Sequence, residues 1–375
     1  MRITFALPYA GLAGGIRVIA IYAQKLKSLG HDVTVVSVPL RLIPLRRKVK
    51  SLVCGRGWPP SPTPEPSHFD GIDVPHRVLE RFRPIVDRDV PDADVVLATH
   101  WTTAPWVQSL SSSKGAKAIF VQGYEALPGE VLPGLDPAWR MPFHKIVISR
   151  WLKELAATRF GDYNVSHVPN SVDLAQFHAP MRTKQHEPTV GVLYSRSGFK
   201  AFEVGSRAIE IARQTIPQLR VIAFGAEPPA ADLPLPEGTE FHYRPAQNSI
   251  KEIYSRCDVW LCGSCREGFH LPPLEAMACR CPVVSTRVGG PMDIIEEGIN
   301  GHLVDVGDSE ALAARMIDVL QLSDSAWSAM SVAAHATAER YTWNDATILF
   351  EAALATTVRK SKRGDFIAPV QAAAV

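Results

Sequence analysis

Residues 264–278 read Ser-Cys-Arg-Glu-Gly-Phe-His-Leu-Pro-Pro-Leu-Glu-Ala-Met-Ala, a stretch that begins with loop-forming residues and ends with helix-forming ones. Gly268 lets the backbone turn, and Pro272 and Pro273 suit a first helical turn, where a missing backbone N–H costs nothing. Residues 274–279 are rich in good helix formers. A loop that leads into a helix start offers free N–H groups and the positive end of the helix dipole, so this stretch predicts a phosphate site.

Two carboxylates, Glu267 and Glu275, lie on either side of this anion site. Two acids would repel a ligand made only of phosphate, but they would accept hydrogen bonds from a ligand that also carries hydroxyls. A nucleotide sugar meets this description, because a hexose and a ribose flank its diphosphate. The alternative is that Glu275 is a first-turn acid favoured by the helix dipole and Glu267 a loop acid. The pair at this spacing favours a functional interpretation.

The segment from Glu267 to Glu275 resembles the E-x7-E motif of the retaining family-4 glycosyltransferases, which have the GT-B fold. The resemblance is strongest over residues 188–306 and includes the flanking pairs Gly289-Gly290 and Asn300-Gly301. It implies an α/β protein of GT-B type, with two Rossmann-like doubly wound domains that face each other across a cleft.

Alternating strand and helix patterns fit this architecture, and 375 residues are enough for two or three domains. Strand patterns include Arg2–Leu7 and Thr189–Leu193, and helical patterns include Ile16–Leu29 and Ala201–Gln214. The expected divisions are an acceptor-side domain over residues 1–173, a linker over 174–188, a nucleotide-sugar domain over 189–340, a helix over 341–359 that crosses back to the first domain, and a tail over 360–375.

The formal net charge is +2, so composition predicts neither a nucleic-acid partner nor a general attraction to membranes. No apolar run reaches the ~18 residues of a membrane span, and the apolar start of the chain is too short for a secretory signal. A cytoplasmic protein is therefore expected. Residues 41–50 carry five basic and no acidic side chains beside several apolar ones. This segment predicts either contact with an anionic membrane at its inner face or a solvated basic surface.

The resemblance implies roles for residues of the second domain. Glu275 would bind the ribose hydroxyls, and Glu267 would bind the sugar hydroxyls together with the backbone of Gly268, Phe269, His270 and Leu271. Lys200 would hold the donor diphosphate and stabilise the charge that grows on it.

A second cation is expected beside Lys200. Val192 occupies the position of the family's arginine, so Arg196 is carried over as its substitute, although both cations could also be exposed loop residues. The expected catalytic residues are thus Glu267, Lys200 and Arg196. Further donor contacts are expected at Gly14, Gly15, Gly225, Tyr243 and Arg244.

Acceptor or sugar contacts are expected at His100, Gln122 and Asn170. His100 ends a predicted strand, and ligands gather at the carboxyl ends of strands in open α/β sheets, although a lone histidine is often structural. Gln122 falls where the family often carries a histidine, and its amide can hydrogen-bond but cannot titrate. Asn170 belongs to a Pro-Asn-Ser-Val-Asp segment that resembles the end of the family's first domain.

The resemblance therefore implies a retaining hexosyltransferase that needs no metal or other cofactor. It would move a sugar from a nucleotide-diphosphate sugar to a glycan or lipid-linked acceptor, in polysaccharide biosynthesis for example. The alternatives are a sugar-nucleotide epimerase of the same fold and a catalytically dead nucleotide-sugar-binding protein. A zinc knuckle made of Cys262, Cys265, Cys279 and Cys281 with His270 is a further interpretation, but packed free thiols are favoured at such positions.

Overall fold

Runs of buried aliphatic residues form the strands, as expected for parallel sheets that are covered on both faces. The computed structural model describes residues 1–40, 45–54, 57, 58, 66–126 and 130–366. They divide into two units. The first comprises Met1–Val147, Lys153–Val168 and the described residues from Thr347 onward, and the second comprises Ile148–Leu152 and Pro169–Ala346.

The first unit contains a seven-stranded sheet in the order β3-β2-β1-β4-β5-β6-β7, and every pairing is parallel. Its strands are β1 (Arg2–Leu7), β2 (Asp32–Ser37), β3 (His76–Val78), β4 (Val95–Ala98), β5 (Ala116–Val121), β6 (His144–Val147) and β7 (Ser166–His167). The helices from this part of the chain are α1 (Gly14–Ser28), α2 (Leu45–Val53), α3 (Ala104–Ser109), α4 (Leu135–Trp139) and α5 (Arg150–Phe160).

The second unit contains a six-stranded parallel sheet in the order β10-β9-β8-β11-β12-β13. Its strands are β8 (Thr189–Tyr194), β9 (Arg220–Gly225), β10 (Glu240–Tyr243), β11 (Val259–Cys262), β12 (Val283–Thr286) and β13 (Gly301–Val304). The helices from this part of the chain are α6 (Phe202–Thr215), α7 (Ile250–Ser255), α8 (Leu271–Ala278), α9 (Pro291–Ile294), α10 (Ser309–Gln321), α11 (Asp324–Glu339) and α12 (Trp343–Arg363), and α12 belongs to the first unit from Thr347 onward.

Each sheet reverses its direction of growth at its first strand. In the first unit, β1 lies between β2 and β4, and in the second unit β8 lies between β9 and β11. The loops that leave the carboxyl ends of two such neighbours diverge, and the crevice between them is the usual ligand site of an open α/β sheet. Both units therefore have a crevice of this kind, and the candidate residues fall in these loops.

Aromatic and aliphatic side chains fill the two cores. In the first unit, Phe350 of α12 stacks on Tyr22 with ring centroids 4.3 Å apart and also contacts Phe5 and Phe120. In the second unit, the cluster around Leu261 includes Trp327 of α11, whose indole N–H donates to the carbonyl of Asp258 over 2.8 Å.

Three of the expected boundaries can be compared with these elements. Residues 174–188, expected as a linker, are grouped with the second unit. Helix α12 extends through Arg363, into the stretch expected as a tail, and residues 367–375 of that stretch lie outside the described part of the chain. Helix α2 covers residues 45–50 of the basic segment, and residues 41–44 also lie outside the described part. No helix in the described part has the length and apolar character that a membrane crossing requires.

Candidate active site

The site in the second unit is built where β8 and β11 end and α8 begins. A short 3₁₀ turn, Gly198–Lys200, follows β8 and carries Lys200. The Lys200 Nζ atom lies 2.6 Å from Glu267 Oε1, and the Ser264 hydroxyl donates to the same oxygen over 2.8 Å. Thr286, at the end of β12, donates its own hydroxyl to the carbonyl of Ser264 over 2.5 Å. Two side chains therefore hold the Glu267 carboxylate directly, and Thr286 at the end of β12 holds the backbone of one of them.

His270 completes this cluster in an uncommon backbone conformation. Its φ is +70°, in the left-handed region that favours glycine, and it is the residue that precedes α8. The side chain is 2% exposed, and Nε2 lies 3.5 Å from Glu267 Oε1. Burial lowers the pKa of His270 to about 4, so the ring is neutral at pH 7. The Nδ1 atom is buried and has no hydrogen-bond partner within the described residues.

The Glu267 carboxyl is ionised at neutral pH although it is buried. Burial alone would raise its pKa, but the charge of Lys200 and the hydrogen bonds from Lys200 and Ser264 outweigh burial and hold the pKa below its ordinary value. Among the described residues, the contacts of this carboxylate fall on Oε1. The second oxygen therefore keeps its lone pairs for a further donor, such as a ligand hydroxyl.

Two glycines hold the backbone of the Glu267–Phe269 loop. The Gly290 N–H donates to the carbonyl of Phe269 over 2.8 Å, and a Cβ on Gly290 would lie 2.2 Å from that oxygen. At Gly289, φ is +50° and a Cβ would lie 2.9 Å from the Glu267 carbonyl. Both positions therefore require glycine. The sequence showed the Gly-Gly pair within the family resemblance, but the spacing alone did not reveal what it contacts.

Glu275 lies inside α8 and not in its first turn, so the interpretation of it as a first-turn acid favoured by the helix dipole is wrong. The residue is 7% exposed and accepts a hydrogen bond from the Tyr254 hydroxyl over 3.1 Å. Burial raises the pKa of Tyr254 well above its ordinary value, which keeps this hydroxyl protonated as a donor. Glu275 is thus a buried, hydrogen-bonded carboxylate one helix turn behind the loop that carries Glu267.

Arg196 and Arg266 differ in their surroundings. Arg196 is exposed, and its backbone N–H donates to Glu227 over 3.1 Å. Arg266 lies with its guanidinium carbon 5.9 Å from the centre of the Phe199 ring, and Lys200 Nζ lies 5.6 Å from the same ring. One of the guanidinium nitrogens of Arg266 is buried without a hydrogen-bond partner in the described chain. No separate role is expected for Arg266 from the sequence, although its position directly before Glu267 is a signal for one.

Gly225, Tyr243 and Arg244 lie at the ends of the neighbouring strands β9 and β10. A Cβ on Gly225 would lie 2.7 Å from the carbonyl of Tyr194, the last residue of β8. The Arg244 Nε–H donates to the Ala226 carbonyl over 2.9 Å, and its guanidinium lies 5.3 Å from the Tyr243 ring centre. Tyr243 is 51% exposed, so an aromatic face is available at this edge of the sheet.

A cavity of about 220 Å³ lies in the crevice of the first unit, and Gly15, His100 and Gln122 all line it. The Gln122 amide donates to the Gly15 carbonyl over 3.1 Å, and a Cβ on Gly15 would lie 3.3 Å from the amide nitrogen. Gly14, the first residue of α1, has no atom within 4 Å of where its Cβ would be. Asn170 is buried, belongs to the second unit and is not among the described residues that line this cavity.

The four cysteines of the zinc-knuckle interpretation are free thiols. Cys262, Cys279 and Cys281 are buried and Cys265 is half-buried. Burial raises the pKa of the Cys262, Cys279 and Cys281 thiols. In the ranges that the structure describes, no three His, Cys, Asp or Glu side chains are grouped in a way that could hold a metal ion. The arrangement required by the zinc-knuckle interpretation is thus not formed by these residues.

The part of the chain that contains this site is similar to known proteins. Residues 189–322, from β8 through α10, match the family model "Glycosyl transferases group 1". The chain is 46% identical over 81 residues to a sucrose synthase of Acidithiobacillus caldus, a match to 20% of this chain and 10% of that protein. It is 40% identical over 75 residues to N-acetyl-alpha-D-glucosaminyl L-malate synthase of Bacillus anthracis, and the match covers 20% of this chain and 20% of that protein. It is 30% identical over 231 residues to the O-antigen biosynthesis protein RfbC of Myxococcus xanthus, 60% of this chain and 18% of that protein.

Solved structures extend the likeness over nearly the whole chain. Anabaena HepE in complex with UDP and glucose superposes with a TM-score of 0.70 at 16% identity, covering 95% of this chain and 100% of that one. Sucrose-phosphate synthase from Thermosynechococcus elongatus superposes with a TM-score of 0.70 at 14% identity, covering 97% and 100%. The expected fold is confirmed: this is an α/β chain with two Rossmann-like units of the GT-B type. The chain spans only a tenth to a fifth of the length of the curated relatives it matches above.

Proposed function

We propose that this chain is a retaining glycosyltransferase that moves a hexosyl group from a nucleotide-diphosphate sugar to an acceptor hydroxyl. The observation that carries the proposal is the Lys200–Glu267 pair, 2.6 Å apart at the amino end of α8. A cation for a diphosphate, a buried carboxylate for sugar hydroxyls and a helix start for an anion lie together there. This cluster lies inside the segment that matches the glycosyltransferase family model, which supports the same activity.

Each group of the cluster has a chemical task in this proposal. Lys200 stabilises the negative charge that grows on the leaving diphosphate, and Arg266 or Arg196 adds a second positive charge. Glu267 accepts hydrogen bonds from hydroxyls of the transferred sugar, and Glu275 from the ribose. The exposed ring of Tyr243 stacks on the nucleotide base. In a retaining reaction of this kind, the leaving phosphate oxygen takes the proton of the acceptor hydroxyl, and the new bond forms on the face that the leaving group departs from. The proposal includes no metal or other cofactor, because side-chain cations carry the charge.

The first test is a thermal-shift screen of the purified protein against UDP-, GDP-, dTDP- and ADP-sugars. One donor group should raise the unfolding temperature, and Glu275→Gln should abolish that rise while leaving the unliganded protein folded. The matched control is Glu252→Gln on the exposed face of α7, which should respond like the unchanged protein. A folded protein that none of the donors stabilises would contradict the proposal.

The alternative functions differ in what they do with the donor. An epimerase would convert the donor sugar without any acceptor, and a dead binding protein would be stabilised by the donor but release no nucleoside diphosphate. With the donor identified, nuclear magnetic resonance of the product would report whether the anomeric configuration is retained. Full turnover in excess chelator would support the metal-independent reaction, and a loss restored by Mg²⁺ or Mn²⁺ would contradict it.

We also propose that α2 rests on an anionic membrane surface. Val49, Leu52 and Val53 of this helix are exposed, Val53 by 80%, beside the exposed cations Arg46 and Lys50. Apolar and basic side chains on one short helix suit the headgroup region of a bilayer. The protein should float with vesicles that contain phosphatidylglycerol and not with phosphatidylcholine alone. The double variant Leu52→Ser/Val53→Ser should abolish flotation, and unchanged flotation would contradict the role of α2.

A further inference from the structure

Two side chains that line the cavity of the first unit lie at a distance that one hydroxyl group could bridge. His100 Nε2 lies 3.8 Å from Glu125 Oε1, and both residues line the cavity. This separation is too long for a direct hydrogen bond. One oxygen atom placed to one side of the pair, about 2.8 Å from each group, could hydrogen-bond to both of them.

The protonation of His100 follows from its neighbours. The Thr102 backbone N–H donates to Nδ1 over 3.3 Å, and the Thr102 hydroxyl lies 2.8 Å from the same nitrogen. Because Nδ1 accepts, the proton of the neutral ring is on Nε2, the atom that faces Glu125. Burial lowers the pKa of His100 to about 4, which agrees with a neutral ring. The cavity thus presents a donor, His100 Nε2–H, opposite an acceptor, the Glu125 carboxylate.

A hydroxyl fits this pair and an anion does not. A hydroxyl oxygen can accept from His100 and donate its own hydrogen to Glu125, whereas a phosphate or carboxylate oxygen has no hydrogen to donate. No lysine or arginine is among the described residues that line the cavity. The amino end of α1 supplies a positive end equivalent to roughly half a charge, but a phosphate placed there would also meet the like charge of the Glu125 carboxylate.

The remaining wall suits the apolar face of a ring. Trp101 lies against His100 with ring centroids 5.4 Å apart, and a Cβ on Gly134 would lie 3.3 Å from its indole. The φ of Gly134 is +99°, a conformation that favours glycine, and the absence of a Cβ leaves room for the indole ring. An aromatic wall beside a few convergent polar groups is the usual composition of a small-molecule pocket.

We infer that the cavity of the first unit binds an uncharged, hydroxyl-rich ring of the acceptor, with one hydroxyl bridging His100 and Glu125, and that it rejects phosphorylated or carboxylated acceptors. This inference rests on the proposed function, because it names the class of acceptor that a glycosyltransferase with this cavity would use.

The test is saturation-transfer nuclear magnetic resonance on the full chain with two sets of probes. One set contains methyl glycosides of common hexoses and 6-deoxyhexoses, and the other contains the hexose 6-phosphates. At least one neutral glycoside should bind, and its phosphorylated counterpart should bind at least tenfold more weakly. Glu125→Gln keeps the shape of the side chain and removes its charge. This variant should bind the neutral glycoside about tenfold more weakly, because hydrogen bonds to charged groups are stronger than those between neutral groups. The ratio of the affinity for the neutral glycoside to that for its phosphorylated counterpart should become smaller.

Glu154→Gln, an exposed acid on α5, is the matched control and should change neither affinity. Equal or tighter binding of the phosphates, no binding of either set, or identical affinities in Glu125→Gln would each overturn the inference. Binding of the nucleoside diphosphate that the thermal-shift screen identifies is measured on the same samples. If that binding is intact, the proposed function stands although the inference fails, whereas a lack of binding to UDP, GDP, dTDP and ADP alike would count against the proposed function itself.

Discussion

Lys200 Nζ and Glu267 Oε1 lie 2.6 Å apart, so two residues with separate expected roles form one ion pair. The Glu267 side chain is 8% exposed and that of Lys200 is 20% exposed, which means that each charge offsets the cost of burying the other. A diphosphate that enters this site must therefore share Lys200 with the carboxylate. The pair keeps a cation and an acceptor in position before any ligand arrives.

The first prediction separates the contribution of Lys200 to catalysis from its contribution to stability. Lys200→Ala leaves a buried carboxylate without its cation, so we expect the free energy of unfolding to fall by about 3 kcal/mol. Turnover should fall on the order of 10²-fold, because a group that stabilises charge in the transition state is lost. The double variant Lys200→Ala/Glu267→Gln should regain part of the stability and none of the activity. Urea unfolding and initial rates measure both, with the exposed Lys153→Ala as control. Wild-type rates in Lys200→Ala would exclude its catalytic role.

The second prediction concerns the packing of the Glu267–Phe269 loop. A Cβ on Gly290 would lie 2.2 Å from the Phe269 carbonyl, so Gly290→Ala must push the loop away. Overpacking of this kind typically costs about 1–3 kcal/mol, and the displaced loop should no longer respond to a nucleotide sugar in the thermal-shift assay. At Gly198 a Cβ would meet no atom within 4 Å, so Gly198→Ala is the control. Equal behaviour of the two variants would show that the loop adapts freely.

The third prediction isolates the backbone strain at His270. His270→Gly and His270→Ala both remove the ring and its contact with Glu267, but only glycine accepts a φ of +70° without strain. The glycine variant should therefore be more stable than the alanine variant by about 1 kcal/mol, with similar losses of turnover. Denaturant unfolding of the two proteins side by side measures the difference. If alanine proves equally stable, the left-handed conformation is not a source of strain.

The fourth prediction is a pH dependence in the first unit. Burial, with Lys360 nearby, lowers the pKa of His144 to about 4, and the ring is held by Thr357 at 2.7 Å and Ser166 at 3.0 Å. The unfolded chain takes up this proton near pH 6.5, so the stabilisation is complete above that pH and is lost as pH falls toward 4. The free energy of unfolding should fall by ~3 kcal/mol over this pH range because of His144 alone.

His144→Gln cannot titrate, so its unfolding free energy should vary less between pH 7 and pH 4.5 than that of the unchanged protein. His178→Gln, at an exposed histidine, is the control and should follow the unchanged protein. Parallel curves for His144→Gln and the unchanged protein would contradict the burial argument.

The strands could be predicted from the sequence because their signals are local. Arg2–Leu7 is a strand with the predicted bounds, and Thr189–Tyr194 is one residue longer than predicted, since both are apolar runs bounded by turn residues. The helix after the motif begins at Leu271, one residue before Pro272, as expected from the preference of proline for a first turn. Hydrophobic periodicity and turn-forming residues are local signals that span a few residues, so they can be recognised in a single sequence.

The details of the candidate site depend on contacts between distant segments. Lys200 and Glu267 are 67 positions apart, and no pattern indicated that they pair. His270 occupies a conformation that a sequence pattern would assign to glycine. The contact between Gly290 and Phe269 arises only when α9 packs against the loop before α8. Asn170 resembled the end of one domain but lies in the other unit, because the boundary falls at Pro169.

Phe350 has a consequence for the order in which the protein can fold. It touches Phe5, Tyr22 and Phe120, yet it is synthesised after every strand of both sheets. The six strands of the second unit are consecutive in the chain, and its core can pack once α11 has left the ribosome. The first unit, although its strands emerge earlier, keeps an uncovered aromatic surface until α12 arrives. A nascent chain of this protein thus displays an apolar patch throughout the synthesis of the second unit, a state in which chaperones bind and aggregation begins.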